Sequence, residues 1–208
     1  MINRFRNRVV NAMKPTCWDL GNKLLYDLCR LHPSHDEADA VLAKIWLIGR
    51  SYAAAIERRK EKGDPNDDFY VDKVAPKIQR SKMDSWINKA KRVRPGTTDA
   101  LNTMIEVHAN TTDLLFEISD LKKRSLASKY LHFHVPKLFY IYDSRAVEAL
   151  AKFSFVMPKA PRSTSFGDDE YRKFNKKCDL LRQKIESEFG LLPTPRQLDN
   201  LLLSVNEK

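Results

Sequence analysis

The sequence predicts an all-α protein, on three observations. Glycine is scarce, with 6 in 208 residues, and strand-type alternation of apolar and polar residues is rare. Apolar residues recur instead at spacings of three and four along most of the chain. Two stretches, Ser34 to Glu37 and Thr194 to Gln197, carry the capping-box pattern with which helices begin. Hydrophobic residues make up 42% of the chain, so a packed core is expected rather than disorder.

Taken in order, Phe5, Val9 and Met13 mark an amphipathic N-terminal helix. A second helix follows Thr16, with Leu20, Leu24, Leu28 and Leu31 on one stripe, and ends before Pro33. Ser34 and Glu37 open a third, whose buried face is Val41, Ile45, Ile48, Tyr52 and Ile56. Gly49 inside that helix costs roughly 1 kcal/mol relative to Ala, which points to a close backbone neighbour. The charged run 57–68 reads as a linker. Residues 69–94 read as a helix disturbed by Pro76, and Trp86 lies in its basic second half. After the Pro95-Gly96 turn, Leu101, Met104, Ile105, His108, Thr112 and Leu115 share one face, which makes His108 a core residue. A short helix spans Leu121 to about Phe133 and stops at Pro136. An apolar link, 139–142, leads to a helix beginning near Asp143 or Ser144. Residues 158–169 read as a loop. Then come a long helix burying Tyr171, Phe174, Cys178, Leu181 and Ile185, and a last one burying Leu198, Leu201, Leu202 and Val205. The total is about eight helices.

Lys and Arg number 37 against 27 Asp and Glu, a net charge of +10. An excess of this size suggests a polyanionic partner, nucleic acid before an acidic membrane surface. Three widely spaced cysteines, Cys17, Cys29 and Cys178, fit neither a disulfide framework nor a cysteine zinc site. They read as reduced thiols of a cytoplasmic protein. The N-terminal segment has no unbroken apolar run, so no signal peptide or membrane span is expected there.

One segment concentrates the chemistry. Residues 119–146 read as a helix end, a tight turn, a basic helix, a proline, an apolar link and then Asp143 at a helix start. Asp143 is the one acid between Ser128 and Ala146. Lys122, Lys123, Arg124 and Lys129 surround the turn and the helix start, an arrangement suited to phosphate. Asp143 also reads simply as an N-cap, a role compatible with chemistry. His132 and His134 with Asp143 make a weak metal site, because helical positions two apart project to nearly opposite sides.

This segment resembles the helix-hairpin-helix of the DNA glycosylase superfamily that includes 8-oxoguanine and adenine-mismatch glycosylases. The resemblance covers about 28 of the 208 residues. It implies two helical lobes flanking a cleft, lobe A about 1–62 with 143–208 and lobe B about 64–142. It places Asp143 on the catalytic aspartate and Ser125 where bifunctional members carry a lysine. Ser125 therefore resembles the monofunctional, water-using members, and Lys129 lies one helical turn later. Leu121, Lys122 and Lys123 stand where the family's hairpin has Gly-x-Gly. The activity implied is hydrolysis of an N-glycosidic bond in DNA, duplex first and single strand as the alternative. A carboxylate would stabilise the cationic sugar, while Lys122, Lys123, Arg124, Lys129 and Arg145 would bind phosphates. Candidates to stack on an extruded base are Trp46, Tyr52, Trp86, Tyr130, His132 and Tyr142. No cofactor or metal is implied, and the expected state is a monomer. Since members of this superfamily occur in bacterial antiviral systems, modified phage DNA is one implied substrate. A non-catalytic nucleic-acid binder and a nuclease are the alternatives.

Overall fold

In a computed structural model that describes residues 2–58, 68–153 and 168–206, every regular element among those residues is helical. A 3-10 turn, Ile2–Phe5, leads into α1 (Arg6–Ala12), followed by α2 (Asp19–Leu31) and α3 (Ala38–Ser51). A π-helical turn, Phe69–Val74, runs into α4 (Ala75–Gln79) and then α5 (Met83–Arg92). The chain continues through α6 (Thr98–Ser119), α7 (Arg124–His134), α8 (Ser144–Ala151), α9 (Asp169–Phe189) and α10 (Pro195–Asn206). Most of the expected linker 57–68 and loop 158–169 falls outside the described residues.

Local chemistry sets most of these boundaries. Thr97 accepts from Ala100 N at 3.1 Å to open α6, and Asp168 accepts from Glu170 N and Tyr171 N to open α9. At α10 the capping box closes both ways: Gln197 N donates to Thr194 Oγ1 at 3.2 Å and Thr194 N to Gln197 Oε1 at 2.9 Å. The Ser34 box does not form. The Ser34 hydroxyl turns to the Asp36 carboxylate, and α3 begins later, after an uncapped Glu37. Ser34 and His32 instead offer their carbonyls to the buried Lys44 ammonium, at 2.7 and 2.9 Å. The span 69–94 is likewise three elements, with Pro76 in the first turn of α4, where its missing N–H costs nothing.

Two hydrophobic cores result. The first joins α2 to α7 and includes Val41, Ile45, Ile48, Val74, Ile78, Met83, Leu115, Tyr130 and Phe139. The second joins α1, α8, α9 and α10 around Val9, Leu150, Tyr171, Phe174, Leu181 and Leu201. Helix α6 serves both: Met104 and Val107 face the first and Ile105 the second. Each fully buried Leu or Ile in them contributes roughly 1.5–3 kcal/mol. This grouping sets α2 and α3 with the middle of the chain.

Helix α2 departs from expectation. Leu20, Leu24 and Leu31 are 71%, 62% and 63% exposed, while Asn22, Leu25 and Cys29 face inward. A 20/24/28/31 stripe and a 22/25/29 stripe are both helical faces. Spacing identifies a face, and the tertiary fold selects which one is covered. Gly49 does lie against backbone: a Cβ there would sit 3.4 Å from Ala55 Cα.

Candidate functional site

The turn between α6 and α7 forms without glycine. Asp120 takes the left-handed conformation, φ 57°, and its N–H closes on Phe116 O at 2.7 Å. Helix α7 then projects Ser125, Ser128, Lys129 and His132. Ser128 and His132 sit one turn apart and clip the apolar link to α7. Tyr142 N donates to Ser128 Oγ at 2.9 Å, and His132 Nδ1–H donates to Phe139 O at 2.8 Å. This clip delivers Asp143 to the α7 surface.

There Asp143 divides its two oxygens. Oδ1 accepts from Ala146 N at 2.9 Å and caps α8. Oδ2 stands 3.5 Å from Lys129 Nζ. The Lys129 ammonium also donates to Ser125 Oγ at 2.8 Å and to Tyr52 O at 3.2 Å. The Lys129 side chain is 4% exposed and that of Asp143 17%. Burial, more than any neighbour, pushes the Lys129 pKa below its ordinary value, and the positive Arg145 adds to the push; Asp143 and Asp199 oppose it.

A second ion pair completes the group. Arg196 Nη1 lies 2.5 Å from Asp199 Oδ2, and both residues come from α10. The Arg196 guanidinium and the Lys129 ammonium lie 5.8 and 5.9 Å from the centre of the Tyr52 ring. The Tyr52 hydroxyl donates to Asn22 Oδ1 at 2.7 Å. Asp199 is buried and its Oδ1 has no hydrogen-bond partner. Burial raises its carboxyl to about 6, with Asp143 adding to the rise and Arg196, Lys129 and Arg145 opposing it.

Of the expected site residues, α7 and the start of α8 bring together Ser125, Lys129 and Asp143, with Tyr52 beside them. Ser125 and Tyr142 line an open groove of about 310 Å³ with Lys122, Lys123 and Arg124. Two of those cations are committed within the protein. Lys123 Nζ donates to the carbonyls of Ala55 (3.2 Å) and Arg58, tying the turn to the end of α3. Arg124 pairs with Asp168 and, at 3.4 Å, with Glu170. Lys122 and Arg145 are exposed.

The expected base pocket is not assembled. His132 is fully buried and bonded on both ring nitrogens, to Phe139 O and to the Tyr26 hydroxyl at 2.7 Å. Tyr130 is buried against His35, whose Nε2 it meets at 2.7 Å. Trp86 packs on the first core in a different groove, beside Lys82 and Asn110. Trp46 lies on the exposed side of α3, 47% accessible. Tyr142 packs edge-on to Phe174 and gives its hydroxyl to Glu170. His134 turns away from His132 toward His35 and Tyr130. Among the described residues no group of three His, Cys, Asp or Glu side chains could hold a metal ion. Nor is any helix among them long and apolar enough to cross a membrane.

Sequence reading missed Arg196, Asp199, Asn22 and Tyr26. Asp199 had one usable signal: an acid directly beside the apolar positions Leu198 and Leu202 of α10. No family model, curated protein or solved structure matches this chain.

Proposed function

We propose that the chain is a DNA base-excision enzyme that hydrolyses the N-glycosidic bond of a damaged or modified nucleotide extruded from its stack. The observation that supports this most is the carboxylate of Asp143, held by Ala146 N on one oxygen and by Lys129 on the other. It adjoins, through Ser125, a groove lined by Arg58, Lys122, Lys123 and Arg124. As the base departs, positive charge builds on the sugar, and a fixed carboxylate stabilises it without reorganising. Ser125 would place the attacking water, and Asp143 would accept its proton. Modified phage DNA remains a candidate substrate on the resemblance described above.

A second reading is favoured by one observation. Lys129 Nζ touches both Ser125 Oγ and Asp143 Oδ2, and burial lowers its pKa. An amine so placed could pass its proton to Asp143 and attack C1′ itself, forming a carbon–nitrogen bond as the bond to the base breaks. Incubation with modified and unmodified oligonucleotides separates these readings and their rivals. Free base with alkali-labile sites is expected for the hydrolase. Strand breaks without alkali and a borohydride-trapped adduct identify the amine route. Cutting without base release would mark a nuclease, and binding alone would mark a non-catalytic module.

A further inference from the structure

The most exposed large aromatic in the described surface is Trp18, at 72%, in the turn before α2. It lines a groove of about 460 Å³ between α1 and α10, together with Arg8, Asn11, Arg196 and Asn200. No carboxylate among the described residues lines this groove itself, and Asp19 bonds Thr16 at its edge. Its Arg196 is the residue that meets Asp199 and faces the Tyr52 ring, which the Lys129 ammonium also approaches.

We infer that this groove binds unpaired nucleotides of a DNA strand, next to the one that reacts; the inference rests on the proposed function. An exposed indole is a stacking face for any base, and such stacking is sequence-tolerant. Arg8 supplies charge for the phosphates, while Arg196 is held by Asp199. The amides of Asn11 and Asn200 each carry a donor and an acceptor, which suits base edges. A single strand fits better than a duplex, since stacking on Trp18 requires an unpaired base face.

The test is binding of an unmodified oligothymidylate, read by anisotropy of the labelled DNA and by tryptophan fluorescence. Wild type is expected to bind with quenching. Trp18→Ala should weaken binding roughly 5- to 100-fold and abolish most of the quench, while Trp18→Phe keeps most of the affinity. Arg8→Gln, which leaves Trp18 in place, should lower the slope of log K against log salt by about 0.7. Trp18→Ala binding within twofold of wild type would overturn the inference. So would self-association in the absence of DNA that Trp18→Ala removes, since the groove would then belong to a second copy. Because the oligonucleotide is unmodified, binding does not depend on base release. Intact binding with no base release on any substrate would defeat the enzymatic reading alone.

Discussion

Lys129 Nζ stands 3.5 Å from Asp143 Oδ2, and the two residues belong to helices of different hydrophobic cores. Lys129 rides on α7, whose apolar face fills the first core, and Asp143 caps α8, which packs in the second. The ion pair is thus a joint between two cores that also share α6. Arg196 and Asp199 stand on the second-core side of the same joint, and Tyr52 on the first.

The cap and the chemistry of Asp143 are separable. Asn is as good an N-cap as Asp. Asp143→Asn keeps the cap but leaves the buried Lys129 ammonium without its charge partner, so it should destabilise the protein by up to a few kcal/mol while reducing base release at least ~100-fold. Asp143→Ala should lose activity and about 1 kcal/mol more stability than the Asn variant, because the cap goes too. Chemical denaturation alongside the release assay measures both. Full activity in the Asn variant would remove Asp143 from the mechanism.

Lys129 is buried, so its replacement acts on both fold and site. Lys129→Met should leave the Asp143 carboxylate short of a partner and destabilise the protein by a few kcal/mol, at most the roughly 3–5 kcal/mol of a fully buried pair. If the amine route operates, borohydride trapping disappears in this variant and base release falls with it. If water is the nucleophile, wild type gives no adduct.

The stability of the fold should depend on pH through its buried groups, among them His35 and His134, both lowered by burial. Burial lowers His108 and His132 to about 4. An unfolded chain takes up protons at both near pH 6.5 while the native one does not, so stability falls as pH drops from about 6.5 toward 4. The loss is on the order of 2–3 kcal/mol per histidine. Asp199, raised to about 6, works the other way. Its native form keeps a proton that the unfolded chain loses, so it favours the native state increasingly from pH 6 down to 4. Asp199→Asn removes that opposing contribution. Its denaturation midpoint should fall more steeply than wild type between pH 6 and 4.

The two faces of α2 predict opposite outcomes for neighbouring leucines. Leu24→Ala should change stability by no more than about 0.5 kcal/mol. Leu25→Ala should cost about 2–5 kcal/mol. Thermal or urea denaturation of the pair is a direct check, and equal losses would mean that the outer face is covered in solution.

Legibility in the sequence followed the range of the interactions. Thr194 and Gln197 meet within one turn, and their box formed as read. Ser34 and Glu37 carry the same pattern, yet the buried Lys44 took the loop's carbonyls and the helix began later. The α2 stripe failed for a related reason, since what covers a face is decided by α3 and α7. The nearness of Ser125, Lys129 and Asp143 was legible because a short clip of Ser128 and His132 enforces it. The partnership with Arg196 and Asp199 was not, because α10 lies more than fifty residues further on and nothing local announces it.

The left-handed Asp120 has a bearing on how the α6–α7 corner can change. An L-residue at φ 57° is tolerated there because aspartate is among the few side chains that accept it. A β-branched residue at 120 would rotate the chain out of that well and swing α7 as a lever about its first turn. Lys129 lies five residues beyond Arg124, the first of that lever, so a small angular change at the corner becomes a displacement of about an ångström at its ammonium. The spacing between amine and carboxylate is in this sense written at a surface corner, remote from both groups.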